Sequence, residues 1–158
     1  MRNTTLTALA LLVLALPVCA LEWTGECVSV SDGDTITVMY GELPVRIRLY
    51  GIDAPELKQA HGKKARDLLA YLAEGQKLTL RKMDIDKYHR AVCRAWVGDL
   101  EISREMIAQG AAWVYPFFCR EPECDQWREL EAQARTGRRG LWSRANPVPP
   151  WEYGKRKK

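Results

Sequence analysis

The feature that most constrains this chain is a change of hydrophobic period near Gly51. Before it, Trp23 to Ser31, Thr35 to Tyr40 and Val45 to Tyr50 are short runs, β-branched in the second and alternating apolar with polar in the third. They are separated by the turn signals Ser31-Asp32-Gly33-Asp34 and Gly41-Glu42. Period-2 runs of this length predict three consecutive half-buried strands. After it, Ala65, Leu68, Leu69, Leu72 and Ala73 recur at helical spacing. That predicts an amphipathic helix over 62–74, ending near Gly75. Pro55 forces Ala54 into an extended conformation, so 51–55 is a loop joining the two regimes.

The pattern continues with strands at Leu78–Leu80 and Ala91–Val97, then a short helix over Ile102–Gln109 closed by Gly110. A longer helix follows over Asp125–Arg135, with Asp125 as N-cap. Five strands and about three helices, one after the third strand, define an α+β class. The order is that of a five-stranded Greek-key barrel of the oligonucleotide/oligosaccharide-binding type. With 158 residues, there is room for one such domain, over 21–145. Residues 146–158 read as a Pro-rich, basic C-terminal tail ending in Lys155-Arg156-Lys157-Lys158.

Residues 1–20 stand apart from the fold. Arg2 is followed by an apolar run from Leu6 to Leu16 and by Pro17-Val18-Cys19-Ala20. This is the layout of a signal peptide cleaved after Ala20, and it predicts export to the periplasm or medium. The run is too short to cross a bilayer, so no membrane association is expected once the leader is removed. Four of the five cysteines remain after cleavage, an even number suited to two disulfides in an oxidising compartment. Cys119 and Cys124 flank Pro122, and pairing them leaves Cys27–Cys93. That bridge would remove about 4 kcal/mol of unfolded-state entropy. A zinc site fits less well, because no Cys-x2-Cys pair is present.

The net charge of +4 is mild and permits a polyanionic partner without requiring one. The chemistry-bearing residues are more specific. Asp32 and Asp34 flank Gly33, and Asp53 and Glu56 flank Ala54-Pro55. Such loops are ordinary turn chemistry when taken singly, but two together offer the oxygen donors that hard cations want. Arg46 and Arg48 share one side of the third strand, and Arg90 lies in a polar loop after Lys87-Tyr88-His89. Guanidinium forks suit phosphate.

Val30 to Thr35, Ile47 to Glu56 and Asp86 to Arg90 together resemble the staphylococcal-nuclease-like (thermonuclease) family, as do Gly110 to Tyr115 and Gly140 to Trp142. The resemblance implies calcium-dependent hydrolysis of DNA and RNA with low sequence specificity. It also implies 5′ O–P cleavage that leaves 3′-phosphates. It assigns metal binding to Asp34, Asp53 and the Ala54 backbone carbonyl, with Asp32 assisting through water. Catalysis falls to Arg48, Glu56 and Arg90, and substrate contact to Lys87, Tyr88, Trp113 and Tyr115. Single-stranded or frayed DNA and RNA are the expected partners, and a monomer the expected state. The competing reading is an inactive barrel that only binds nucleic acid, although such a binder has no need of Glu56. His89 stands where a glycine is common, a departure that bears on the loop carrying Arg90. Core packing competes with base stacking for Trp113, Phe117 and Phe118.

Overall fold

The computed structural model describes residues 22–154. The expected leader over 1–20 and the basic run 155–158 lie outside the described residues. The chain order is β1 (Glu22–Val30), β2 (Thr35–Tyr40), β3 (Leu43–Leu49), β4 (Ile52–Asp53), α1 (Gly62–Ala73), β5 (Lys77–Ile85) and β6 (Ala91–Val97), then β7 (Leu100–Glu101), α2 (Ile102–Ala108), β8 (Trp113–Val114), α3 (Glu123–Thr136), a 3₁₀ turn (Gly140–Ser143) and α4 (Pro150–Tyr153).

Antiparallel pairing orders the main strands β3-β2-β1-β5-β6. Parallel pairing of β3 with β6 then closes them into a five-stranded barrel, with Ile47 opposite Ala91 and Leu49 opposite Cys93. Closure leaves no long free edge among these strands. The period-2 reading holds in detail. Ile36, Val38, Ile47, Leu49, Leu78, Leu80 and Ala95 are buried, and Arg46 and Arg48 lie on the other face of β3. The loose alternation of β1 has a cause: its register with β2 shifts between Cys27 and Ser29, a bulge that leaves Val28 exposed.

The α1 helix packs Ala65, Leu69 and Ala73 into the core, while α2 contributes Ile102, Met106 and Ile107. The third helix begins at Glu123 rather than at an Asp125 cap, with Pro122 in helical conformation at the N-cap position. The Cys119–Cys124 disulfide ties the loop before it to its first turn. Arg94 in β6 is almost fully buried and ion-pairs with Glu101 at 2.6 Å and Glu123 at 2.7 Å, fastening α3 to the barrel. A short fourth helix is added where the sequence reading has only tail. Trp151 of this segment packs on Trp113 and Tyr115, so residues 146–154 are seated on the domain.

The expected Cys27–Cys93 bridge does not form; both are buried free thiols. The strand order explains why. Cys27 lies on β1 beside Gln76, whose carbonyl accepts its backbone N–H, and Cys93 lies on β6 opposite Lys82. One whole strand and several residues of β5 separate them, far beyond the roughly 7 Å between Cα atoms that a disulfide spans. Burial pushes both thiols up to about 11, so neither is a ready nucleophile. In a chain that starts at Leu21, titration with an aromatic disulfide reagent should therefore find two thiols, reactive in denaturant and silent in the folded protein. Zero thiols in denaturant would restore the second bridge.

Candidate active site

The site is built where β2 begins, β3 ends and the β4 loop passes beside them. Register places Thr35 opposite Arg48, which brings Asp34 to the end of β3. The Asp34 carbonyl accepts the Leu49 N–H at 2.8 Å, locking that alignment. Gly33 lets the β4 loop and α1 close over the turn. A Cβ there would lie 2.6 Å from the Ala54 Cβ and 2.9 Å from the Ala65 Cβ, so any side chain would push these elements apart. Asp34 Oδ2 then accepts the Ala54 N–H at 2.7 Å, joining the two acidic loops directly. Asp32 caps the same turn by accepting the Asp34 N–H at 3.1 Å.

Arg48 lies between two carboxylates. Its Nη1 faces Asp34 Oδ1, and its Nη2 donates to Asp53 Oδ1 at 2.6 Å. Arg90 reaches the same cluster through Thr35, a residue the sequence reading does not single out. Its Nη1 donates to Thr35 Oγ1 at 3.3 Å, and that hydroxyl donates to Asp34 Oδ1 at 3.2 Å. The Arg90 loop is organised by Asp86, whose carboxylate accepts the backbone N–H groups of Tyr88 and Arg90 and the Arg90 Nε, all between 2.7 and 2.9 Å. Burial pushes the Asp86 carboxyl up, but these donors outweigh it and hold the group below its ordinary range. His89 has φ of 60°, a left-handed conformation that explains a common glycine here and that histidine tolerates better than most residues.

The electrostatics are unbalanced toward negative charge. Burial first, then the neighbouring carboxylates, pushes Asp32 up to about 6 and, against the opposing pull of Arg48, Asp53 up to about 7. Burial alone would lower Arg48, but Asp34, Asp53 and Asp32 together hold it above its ordinary value. The Arg48 guanidinium therefore contacts two carboxylates and lies in the field of a third, Asp32. Among the described residues, no three His, Cys, Asp or Glu side chains are already disposed around one point as a metal centre. Asp34 and Asp53 are instead turned onto Arg48. Even so, surplus negative charge on hard oxygen donors is the donor chemistry that suits a hard divalent cation.

Glu56 is exposed at the same end, close enough for its charge to act on Asp53. Its loop is held by Gln59, also absent from the sequence reading. The Gln59 Oε1 accepts the Glu56 N–H at 3.1 Å, while its Nε2 donates to the Val148 carbonyl of the C-terminal segment. At Gly62, the first residue of α1, a Cβ would collide with the Glu56 carbonyl.

The substrate residues divide. Lys87 and Tyr88 are exposed beside Arg90, with the Lys87 Nζ and the Arg90 Cζ 5.1 and 5.4 Å from the Tyr88 ring centre. Tyr115 is half-buried under Phe117, Phe118 and Trp151. Trp113 is a correction. It is only 4% exposed, enclosed by Trp142 and Trp151, and offers no ring face to a substrate. Its place on β8, paired with β4, makes it support for the Asp53 strand instead.

A family model described as staphylococcal nuclease homologue matches residues 46–144. The chain belongs to the staphylococcal nuclease family. An uncharacterized endonuclease of Escherichia coli O157:H7 is 39% identical over 150 residues, covering 94% of this chain and 96% of its own. Protein ParB of Escherichia coli is 40% identical over 155 residues, 92% of this chain and 86% of its own. A micrococcal nuclease of Shigella flexneri is 35% identical over 155 residues, 92% of this chain and 88% of its own. The closed barrel with its added helices is the fold expected for this nuclease family. Within it, Asp34, Arg48, Asp53 and Arg90 converge at one end, with Glu56 beside them.

Proposed function

We propose that the chain is an exported, calcium-dependent nuclease that hydrolyses DNA and RNA with little sequence preference, acting as a monomer on single-stranded or frayed segments. The observation that carries this reading is Arg48 between Asp34 and Asp53, with Arg90 joined to the same carboxylate through Thr35. A phosphodiester is anionic and repels an attacking oxygen, and its transition state gathers further charge on the non-bridging oxygens. Arg48 and Arg90 supply fixed donors for that charge, which bind more strongly as it develops. Asp34, Asp53 and the Ala54 carbonyl are the groups that would hold calcium, with Asp32 acting through water. When bound there, the ion supplies Lewis-acid neutralisation of the phosphate. Glu56 takes the proton of the attacking water or orients it. Cleavage of the 5′ O–P bond would leave 3′-phosphates. Export rests on the leader pattern and accords with the Cys119–Cys124 disulfide.

The decisive measurement is release of acid-soluble nucleotides from denatured DNA and from RNA. Release should stop with a chelator and return with excess calcium. Cleavage indifferent to the chelator would remove the metal from this reading. Binding without any release would leave the chain as an inactive nucleic-acid-binding barrel.

A further inference from the structure

Beyond the catalytic cluster, a groove of about 830 Å³ opens at the end of the barrel where β2 and β5 finish and β1, β3 and β6 start. Its walls include Trp23, Tyr40, Arg46, Lys82, Tyr88 and Arg90. Arg90 is common to this groove and to the cluster around Asp34, so the two are continuous. Arg46 and Arg48 alternate on the same face of β3, roughly 6.6 Å apart along the strand, so they can meet successive phosphates of one chain.

Two features point to the class of occupant. Neither Arg46 nor Lys82 takes part in an ion pair among the described residues, so each leaves positive charge for an anion. The acid on the wall, Glu22, is engaged by Arg81 at 2.6 Å. The groove also presents aromatic faces: Tyr40 is 58% and Tyr88 67% exposed, and Tyr40 is steadied edge-on by Trp23 at 5.1 Å. Exposed rings beside unpaired cations, in a groove of ligand size, suit the bases and phosphates of an unpaired strand. Duplex would keep its bases stacked on one another and away from these rings.

We propose that this groove is a further subsite, in which Tyr40 stacks a base and Arg46 and Lys82 hold phosphates of the single strand next to the scissile bond. The proposal rests on the nuclease reading for its substrate, and extends the strand-binding surface from the catalytic cluster, through Arg90 and along the Arg46 face of β3, toward the opposite end of that strand. Such a subsite acts on affinity for long substrates and leaves the chemical step alone.

The test uses a fluorescein-labelled thymidine dodecamer, bound in chelator so that it survives, and thymidylyl dinucleotide as the short substrate. Tyr40→Ala should weaken dodecamer binding about 10-fold. Arg46→Ala should lower the slope of log affinity against log salt by about 0.7. With calcium, KM for the dodecamer should rise in both variants while kcat and dinucleotide cleavage stay at the parent values. Tyr71→Ala, an aromatic 84% exposed on α1, should change none of these. Parent-like dodecamer affinity and salt slope in both variants would overturn the subsite, as would equal losses on dinucleotide and dodecamer. If the parent proves inactive yet the variants bind the dodecamer less well, the hydrolytic reading fails and the groove stands. An active parent whose variants bind normally ends the groove alone.

Discussion

Replacing Arg48 with alanine is expected to lower phosphodiester cleavage by about 10²–10³-fold, the usual loss for one positioned donor to a developing oxyanion. The side chain is only 15% exposed and faces both Asp34 and Asp53, so its removal also leaves two carboxylates opposed without their shared cation. Leaving a buried charge without its partner typically costs about 3–5 kcal/mol. Here the raised Asp53 pKa offers partial escape through protonation, so the loss should fall at or below that range. The same geometry fixes a sign. Arg48 competes for the oxygen atoms that would hold calcium, so calcium should raise the melting temperature of Arg48→Ala more than that of the parent. Arg48→Lys should not restore the rate, because an ammonium cannot bridge the two acids and also present a planar fork to phosphate. Near-parent turnover in Arg48→Ala would remove this residue from the chemistry.

The fold was legible where one physical rule dominated. The β-branched run 35–40 and the alternation 45–50 could bury one face only as strands, and they do. Ala91–Val97 was bounded correctly by polar flanks. What local pattern could not reveal was set by long-range pairing. β5 runs on to Ile85, beyond the apolar Leu78–Leu80, because β6 pairs along it past a register shift near Met83. The two-residue strands β4 and β8 exist only because the chain returns to pair Asp53 with Trp113. The cysteine arithmetic failed for a similar reason: an even count says nothing about which strands lie between two thiols.

The site was legible as residue types and obscure as connections. Spacing could not show that Asp34 meets the Ala54 amide, yet that hydrogen bond is what unites the two loops. Thr35 was visible only as a strand former, although its hydroxyl links Arg90 to Asp34. The Gly110 to Tyr115 motif places Trp113 with the substrate by resemblance, but its position in the β4–β8 pair buries it. Asp86 carried a signal that could have been used. An Asp four residues before an Arg, in a polar turn, is well placed to accept that turn's backbone donors and orient the guanidinium.

Glu56→Gln separates chemistry from binding more sharply than any other substitution here, because it removes a proton acceptor and one charge near Asp53 while keeping the side chain's size and every argued calcium donor. The loop geometry does not depend on the carboxylate. Backbone contacts hold it: Gln59 accepts the Glu56 N–H, the Gln59 N–H donates to the Glu56 carbonyl at 2.7 Å, and α1 abuts that carbonyl at Gly62. An isosteric amide keeps size and position. The rate should therefore fall by about 10²–10⁴-fold, the range attached to a positioned general base, with KM and melting temperature close to the parent values. Calcium titrated calorimetrically into the variant should bind as it does to the parent, since the donors argued above are Asp34, Asp53 and the Ala54 carbonyl. A large loss of calcium affinity would instead make Glu56 a ligand and move proton removal elsewhere. Full activity would leave water activation to the metal and the arginines alone.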